Sequence, residues 1–313
     1  MTKIRLALDW TPNTNHIGFL IAQERELYQQ QGLQIEILNP ISDNYHLTPG
    51  KKLELGLADF AIAPFETVIS LNNKNNKVAA IAVYAILQED LSSIVTLQSS
   101  HIQSPKQLDG QTYASYKARY EDHIVQQMII NDGGKGNLQI VYPDKLGIWN
   151  TLLEGKATAT WIFDNWEGIE AQSKNVALNA FKMGDYGIPY GYSPVVLTKK
   201  ENIELQKDAY RKFIQATQKG FLFAQENPTE AVAILKRYVP ENDLKNIDLE
   251  KSLQATAPYF GNTTTCGIMK PEKVQAFLHW LVNHNLETKD ILQQELFTNE
   301  LLDSTDDATR YIL

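Results

Sequence analysis

Four polar loops in this sequence carry side chains able to hold a small ligand. The first is Asp9-Trp10-Thr11-Pro12-Asn13-Thr14-Asn15-His16. Trp10 offers a stacking face for a flat ring, and the amides of Asn13 and Asn15 present donors and acceptors together. The second is Phe65-Glu66-Thr67. The third, Tyr116-Lys117-Ala118-Arg119-Tyr120-Glu121, opens a helix. Its free N–H groups and two cations suit an anion such as a carboxylate or phosphate. The fourth is Trp161-Ile162-Phe163-Asp164-Asn165-Trp166-Glu167, joined by a Tyr-rich turn holding Tyr190 and Tyr192. There, aromatic rings flank Asp164 and Glu167, which can accept from an amine.

Each feature also has a plainer account. Thr-Pro-Asn is turn chemistry, and Thr14 or Asn15 can cap a helix, so spacing alone makes the first loop an ordinary turn. Lys117 and Arg119 fit a solvated helix start. At least one of Trp161, Phe163 and Trp166 is expected to serve packing only.

Composition excludes several functions. Formal net charge is -8 and the pI is 5.3, and no basic stripe is present, so a nucleic-acid partner is not expected. The single cysteine, Cys266, can form no internal disulfide or cysteine-only metal cluster, and is expected to be a buried or neutral thiol. The six histidines show no paired ligand motif, and neither a nucleophile elbow nor a phosphate-cradling loop occurs, so no metal and no catalytic residue is assigned. No run approaches the roughly 20 apolar residues of a membrane span. The start, Met1-Thr2-Lys3-Ile4, runs straight into a strand without a signal core. A cytoplasmic location is therefore expected as written, or a periplasmic or cell-surface one if Met1 is not the native start.

The loops are carried by alternating strands and helices. Ile4, Leu6 and Leu8 mark a first strand, and Ile17, Leu20 and Ile21 one face of the helix after it. Further strands are expected at 33–38, 59–63, 77–87, 94–97, 112–116, 138–141 and 193–197, and a helix over 121–131. Segment 152–162 echoes segment 53–63: helix, glycine, short strand, then a loop with an acid, Glu167 in one and Glu66 in the other. The length of 313 residues suggests about two domains. The pattern implies two related α/β lobes with largely parallel sheets, residues 1–91 plus 193–313 and residues 92–192. Everything beyond residue 201 reads as helical, and ligands of open α/β sheets sit beyond the carboxyl ends of the strands.

The opening motif resembles that of the thiamin-pyrimidine-synthase-like group, which includes formylaminopyrimidine-binding receptors and yeast-type pyrimidine synthases. The likeness continues through Gly32-Leu33, Gly56-Leu57-Ala58-Asp59-Phe60, Asp109-Gly110-Gln111-Thr112-Tyr113 and Asn131-Asp132-Gly133-Gly134. It extends to Trp166-Glu167-Gly168-Ile169, Tyr186-Gly187-Ile188-Pro189 and Phe297-Thr298-Asn299-Glu300, the last two being most like the bacterial receptors. The resemblance implies a two-lobed, class II periplasmic-binding-protein fold, a ligand cleft between the lobes and hinge closure. It implies a receptor for a thiamin pyrimidine precursor, partnered by an ABC transporter permease and needing no cofactor. Trp10 and Tyr190 or Tyr192 would stack on the ring, while Asn13, Glu66 and Glu167 read its nitrogens.

The synthases of this group use their own histidine and a lysine-bound pyridoxal phosphate, and carry a cysteine-rich motif. Ala63, Pro64 and Thr67 stand where that lysine and histidine would fall, and Tyr190-Gly191-Tyr192-Ser193-Pro194 where the cysteines would be. Two alternatives stay open. One is a synthase consuming pyridoxal phosphate, with His16 as candidate donor. The other is a receptor for a different small molecule, such as a sulfonate or riboflavin.

Overall fold

A computed structural model describes residues 1–74, 77–144 and 147–302. Among them, ten strands form two five-stranded sheets, one in each lobe. The first contains β1 (Thr2–Ala7), β2 (Leu33–Leu38), β3 (Phe60–Ala63), β4 (Ala80–Ala85) and β10 (Val195–Lys199), in the order β2-β1-β3-β10-β4. The second contains β5 (Ser92–Leu97), β6 (Thr112–Ala114), β7 (Gln139–Val141), β8 (Ala159–Phe163) and β9 (Leu178–Phe181), in the order β7-β6-β8-β5-β9.

The two orders follow one plan. In each sheet four strands run the same way, and the fourth place is taken by an antiparallel strand that arrives from the other lobe. β5 enters the second sheet directly after β4, and β10 returns to the first directly after β9. Two crossings, at 86–91 and 182–194, therefore tie the lobes together. This is the two-lobed class II architecture.

The expected strand at 77–87 is shorter, at 80–85, and Ser104-Pro105 opens a tight 3-10 turn, Pro105–Leu108. The helix Glu121–Asn131 falls where the sequence pattern puts it. Beyond β10 the described chain is mostly helical, led by Lys200–Glu226, whose Tyr210, Phe213, Ile214 and Phe221 enter the first lobe's core. The last residues of the expected helical region, 303–313, lie outside the described residues.

Close packing sets where the first loop sits. Helix Ile17–Glu24 lies on Lys200–Glu226 so tightly that a Cβ at Gly220 would stand 2.0 Å from the Gly18 carbonyl oxygen. Only glycine fits there. Cys266 is buried, bonded to the Tyr84 hydroxyl at 3.0 Å, and burial pushes its thiol up to about 11. No described helix is long and apolar enough to cross a membrane.

Candidate functional site

A cleft of about 630 Å³ opens where strand ends of both sheets and the second crossing meet. Asp9, Trp10, Asn13 and Asn15 line it from the loop after β1, and Glu66 from the loop after β3. Tyr116, Lys117 and Arg119 line it from the loop after β6. Trp161, Phe163, Trp166 and Glu167 come from β8 and the loop that follows, and Tyr190 from the crossing.

The first loop is built by its own side chains. Asn13 Oδ1 accepts the Asn15 N–H at 2.8 Å, and Asn13 Nδ2 donates to the Thr11 carbonyl at 3.1 Å. Asn13 is thus the cap of the turn, the role expected of Thr14 or Asn15. The Asn13 N–H donates to His16 Nδ1 at 3.2 Å, which leaves Nε2 to carry the proton and donate to Asp9 Oδ1 at 2.7 Å. With both ring nitrogens engaged and the side chain fully buried, His16 does not face the cleft but orients Asp9, which does. The same geometry removes His16 as a reactive donor. Behind the loop, Asn165 Nδ2 donates to Asn15 Oδ1 at 3.0 Å and to Thr256 Oγ1 at 2.9 Å, and Ser252 Oγ donates to the Asn165 carbonyl at 2.6 Å. One buried amide thus joins both lobes and the helix Leu249–Thr256.

Three acids open the helices that follow β3, β6 and β8: Glu66, Glu121 and Glu167. A helix start favours a negative charge, yet burial outweighs that effect and raises all three. Glu66 is pushed up to about 8, first by burial and then by the neighbouring Glu121. Glu167 is pushed up to about 7, again by burial, although its Oε2 accepts the Phe163 N–H at 3.0 Å. Glu121 is also raised by burial. Its carboxylate accepts from the Tyr113 hydroxyl at 2.8 Å and from the N–H groups of Tyr116 and Ala118 at 3.0 and 3.1 Å.

That last arrangement changes the expected anion seat. The chain's own Glu121 takes the N–H groups of Tyr116 and Ala118, in the loop that leads into Glu121–Asn131. Arg119 is held by Glu287 at 2.5 Å and by the Tyr120 hydroxyl at 2.8 Å. Lys117, in a left-handed backbone conformation at φ 61°, sets its ammonium 5.2 Å from the Tyr142 ring centre. Both cations line the cleft, but neither stands free over a helix start.

The aromatic wall is larger than expected. Trp161 and Tyr190 meet edge to face, with ring centres 5.2 Å apart. Trp161, Phe163 and Trp166 all face the cleft, so none of the three is packing alone, although Trp166 is also core.

Phe65, Tyr120, Asp164 and Tyr192, like His16, lie outside the cleft lining. Phe65 is core, its N–H bonded to the Tyr192 carbonyl at 3.0 Å. Tyr192 is core as well, and its hydroxyl accepts the Lys270 N–H at 2.9 Å. Tyr120 packs edge-on against Phe277. Asp164 accepts the Ser93 hydroxyl at 2.9 Å across the strands entering the second lobe.

One wall was not read from the sequence. Tyr45, His46, Leu47 and Thr48 line the cleft, with the Tyr45 ring centre 5.2 Å from that of Trp10. The buried Lys52 pairs with the partly exposed Asp43 at 2.9 Å and fixes this loop from behind. Its one sequence signal was Thr48-Pro49, a helix start, and Thr48 does cap the helix Pro49–Glu54. A Cβ at Gly50 would stand 2.8 Å from Thr67 Cγ2, so the helix sits directly against the Glu66 loop.

Two sheets of matching order, joined by two crossings with an aromatic cleft between them, define the two-lobed fold of the periplasmic solute-binding proteins. The fold agrees with the aliphatic sulphonate-binding protein SsuA of Escherichia coli, at a TM-score of 0.70 and 13% identity, over 98% of this chain and 95% of that one. Residues 13–231 match the family described as NMT1/THI5 like, and the chain belongs to that family. It is similar to the formylaminopyrimidine-binding protein of Halalkalibacterium halodurans, at 22% identity over 96% of this chain and 90% of that protein. It is also similar to the 4-amino-5-hydroxymethyl-2-methylpyrimidine phosphate synthase of Legionella pneumophila, at 22% identity over 84% and 81%.

Proposed function

We propose that the protein is a solute-binding receptor for a thiamin pyrimidine precursor of the formylaminopyrimidine or hydroxymethylpyrimidine type. The observation that carries this reading is the cleft itself, where aromatic faces from both lobes surround buried carboxyls. A small aminopyrimidine fits within about 630 Å³. Trp10 and Tyr190 stack on its ring, Asn13, Glu66 and Glu167 read its nitrogens, and Asp9, Asn15, Tyr116 and Trp161 complete the enclosure. Lys117 and Arg119 serve an anionic substituent only if their present contacts open. Residues 1–91 with 193–313, and residues 92–192, are the two bodies that close on the ligand. An ABC permease then receives it at the outer face of the membrane.

The test is calorimetric titration with formylaminopyrimidine and hydroxymethylpyrimidine, beside an alkanesulfonate and riboflavin. Saturable binding of a pyrimidine and not of the others supports the reading, and the reverse preference ends it. Incubation with pyridoxal phosphate, then borohydride reduction and peptide mapping, tests the synthase alternative. A reduced adduct on a cleft lysine, with product formed, would replace the receptor reading.

A further inference from the structure

Glu66 is in an unusual position for an acid. It lines the cleft and is only 5% exposed, and its Oε2 is buried with no hydrogen-bond partner. The charged and titratable groups around it do not neutralise it. Glu121, from the helix after β6, adds a second acid, and Tyr190 faces it from the crossing between lobes. Arg119 acts on it across space but is held by Glu287 at 2.5 Å. Lys51 and Lys74, on the same wall, are both paired with Glu54, at 3.2 and 2.6 Å. The backbone N–H of Tyr120 eases a charge on the carboxyl only in part, so an ionised Glu66 would be a buried anion with an unbonded oxygen, next to another acid.

We propose that Glu66 is the specificity-determining residue of the cleft and acts as a neutral acid, donating its O–H to a ring nitrogen of the ligand and accepting from the adjacent amino N–H. The proposal rests on the pyrimidine reading above and adds the edge that is recognised. A neutral carboxyl places one donor beside one acceptor, the complement of a ring nitrogen next to an exocyclic amine. A carboxylate offers two acceptors and would meet the ring-nitrogen lone pair with its own. Burial keeps the proton on Glu66 up to about pH 8, so the donor is present at neutral pH.

The experiment compares wild type with Glu66→Gln by calorimetry from pH 7 to 9.5. The probes are formylaminopyrimidine, 4-amino-2-methylpyrimidine and 2,4-dimethylpyrimidine. Glutamine keeps a donor beside an acceptor and does not ionise. Wild-type affinity for both amino-pyrimidines is expected to fall about tenfold per pH unit once Glu66 ionises. Glu66→Gln should bind within about fivefold of wild type at pH 7 and stay flat. The dimethyl ring, lacking the N–H donor, should bind at least tenfold more weakly to both. The infrared difference spectrum of ligand-free wild type minus Glu66→Gln should show a protonated carboxyl band at pH 7, beyond what Glu167 contributes to both, and that band should be gone at pH 9.5.

A flat wild-type profile, a parallel fall in Glu66→Gln, a large loss in Glu66→Gln at pH 7, or no protonated band would each overturn the proposal. If 4-amino-2-methylpyrimidine binds with the stated profile while formylaminopyrimidine does not bind, the precursor reading fails and the role of Glu66 stands. If neither amino ring binds either protein, the role fails too.

Discussion

Glu66 and Glu167 stand at matching places in the two lobes. Each follows the third strand of its sheet, β3 or β8, and each opens a seven-residue helix, Glu66–Asn72 or Glu167–Ser173. Each strand is preceded by a helix that ends at a left-handed glycine, Gly56 at φ 70° or Gly155 at φ 69°. The surroundings differ. Glu167 closes onto its own loop by accepting the Phe163 N–H, whereas Glu66 leaves an oxygen buried and unbonded. One backbone device therefore serves two ends: an acid bound into the structure of its loop, and an acid with a buried oxygen that the chain leaves unbonded. A buried polar atom without a partner is destabilising, so its retention beside a cleft is the stronger pointer to a ligand.

Truncation separates the two acids most sharply. Glu66→Ala removes no hydrogen bond to Oε2, so the melting temperature should hold or rise, while pyrimidine affinity falls by about 10- to 100-fold, the worth of a strong hydrogen bond at about 1.5–3 kcal/mol. Calorimetry and thermal melts on the same samples read both. A melting temperature that drops with Glu66→Ala would mean that the side chain is structural and the contrast between the lobes is false.

Glu167→Ala should weaken stability as well as binding. It leaves the Phe163 N–H without its acceptor, an expected loss of about 1–3 kcal/mol, or about 2–4 °C in melting temperature for each kcal/mol. Glu167→Gln can still accept that N–H and should recover most of the loss. Equal losses for alanine and glutamine would assign the effect to packing instead.

Stability against pH divides the acids again. Each holds its proton more tightly folded than the ordinary carboxyl value of 4.5, so the contribution is fully present below pH 4.5. Above that the unfolded chain releases its proton first, and stability falls with rising pH until the folded acid ionises, about pH 7 for Glu167 and about pH 8 for Glu66. In ligand-free protein, Glu66→Gln should flatten the decline up to about pH 8, and Glu167→Gln only its part below about pH 7. Urea denaturation at unit pH steps measures both, and a stability that rises through this range would reverse the assignment.

Much of this comparison was legible in the sequence, because it rests on local signals. Glycine after a helix, a short apolar strand and an acid three or four residues beyond the strand recur in both lobes, and period and punctuation reveal them. The loop after β1 was legible for the same reason, since Trp, Asn and His cluster within a few residues. Long-range contacts were not legible. Nothing near His16 shows that its imidazole is used up between Asn13 and Asp9, and Arg119 is held by Glu287, 168 residues away. Tyr190 and Tyr192 are alike in sequence, but one faces the cleft and the other the core. The wall at 45–48 was not legible because its residues sit in a loop of turn formers with no ligand pattern of their own, and a contact from the helix that follows, Lys52 with Asp43, sets where that loop lies.

The smallest effect tests the backbone half of the comparison. Gly56 and Gly155 share a left-handed conformation, and a Cβ added at either meets nothing within 4 Å. The loss on Gly56→Ala or Gly155→Ala therefore has no packing component. It comes from forcing alanine to a positive φ, roughly 1–2 kcal/mol, less a few tenths regained because alanine narrows the unfolded ensemble. The two variants should each lose about 1 kcal/mol in urea denaturation, within about 0.5 kcal/mol of one another. Equal losses, with ligand affinity unchanged, would show that the repeated glycine turn sets only the path of the chain into β3 and β8, leaving the carboxyl environments to carry the functional difference. A loss confined to one lobe would mean that the two turns bear unequal strain, and that the lobes part company before Glu66 and Glu167 are reached.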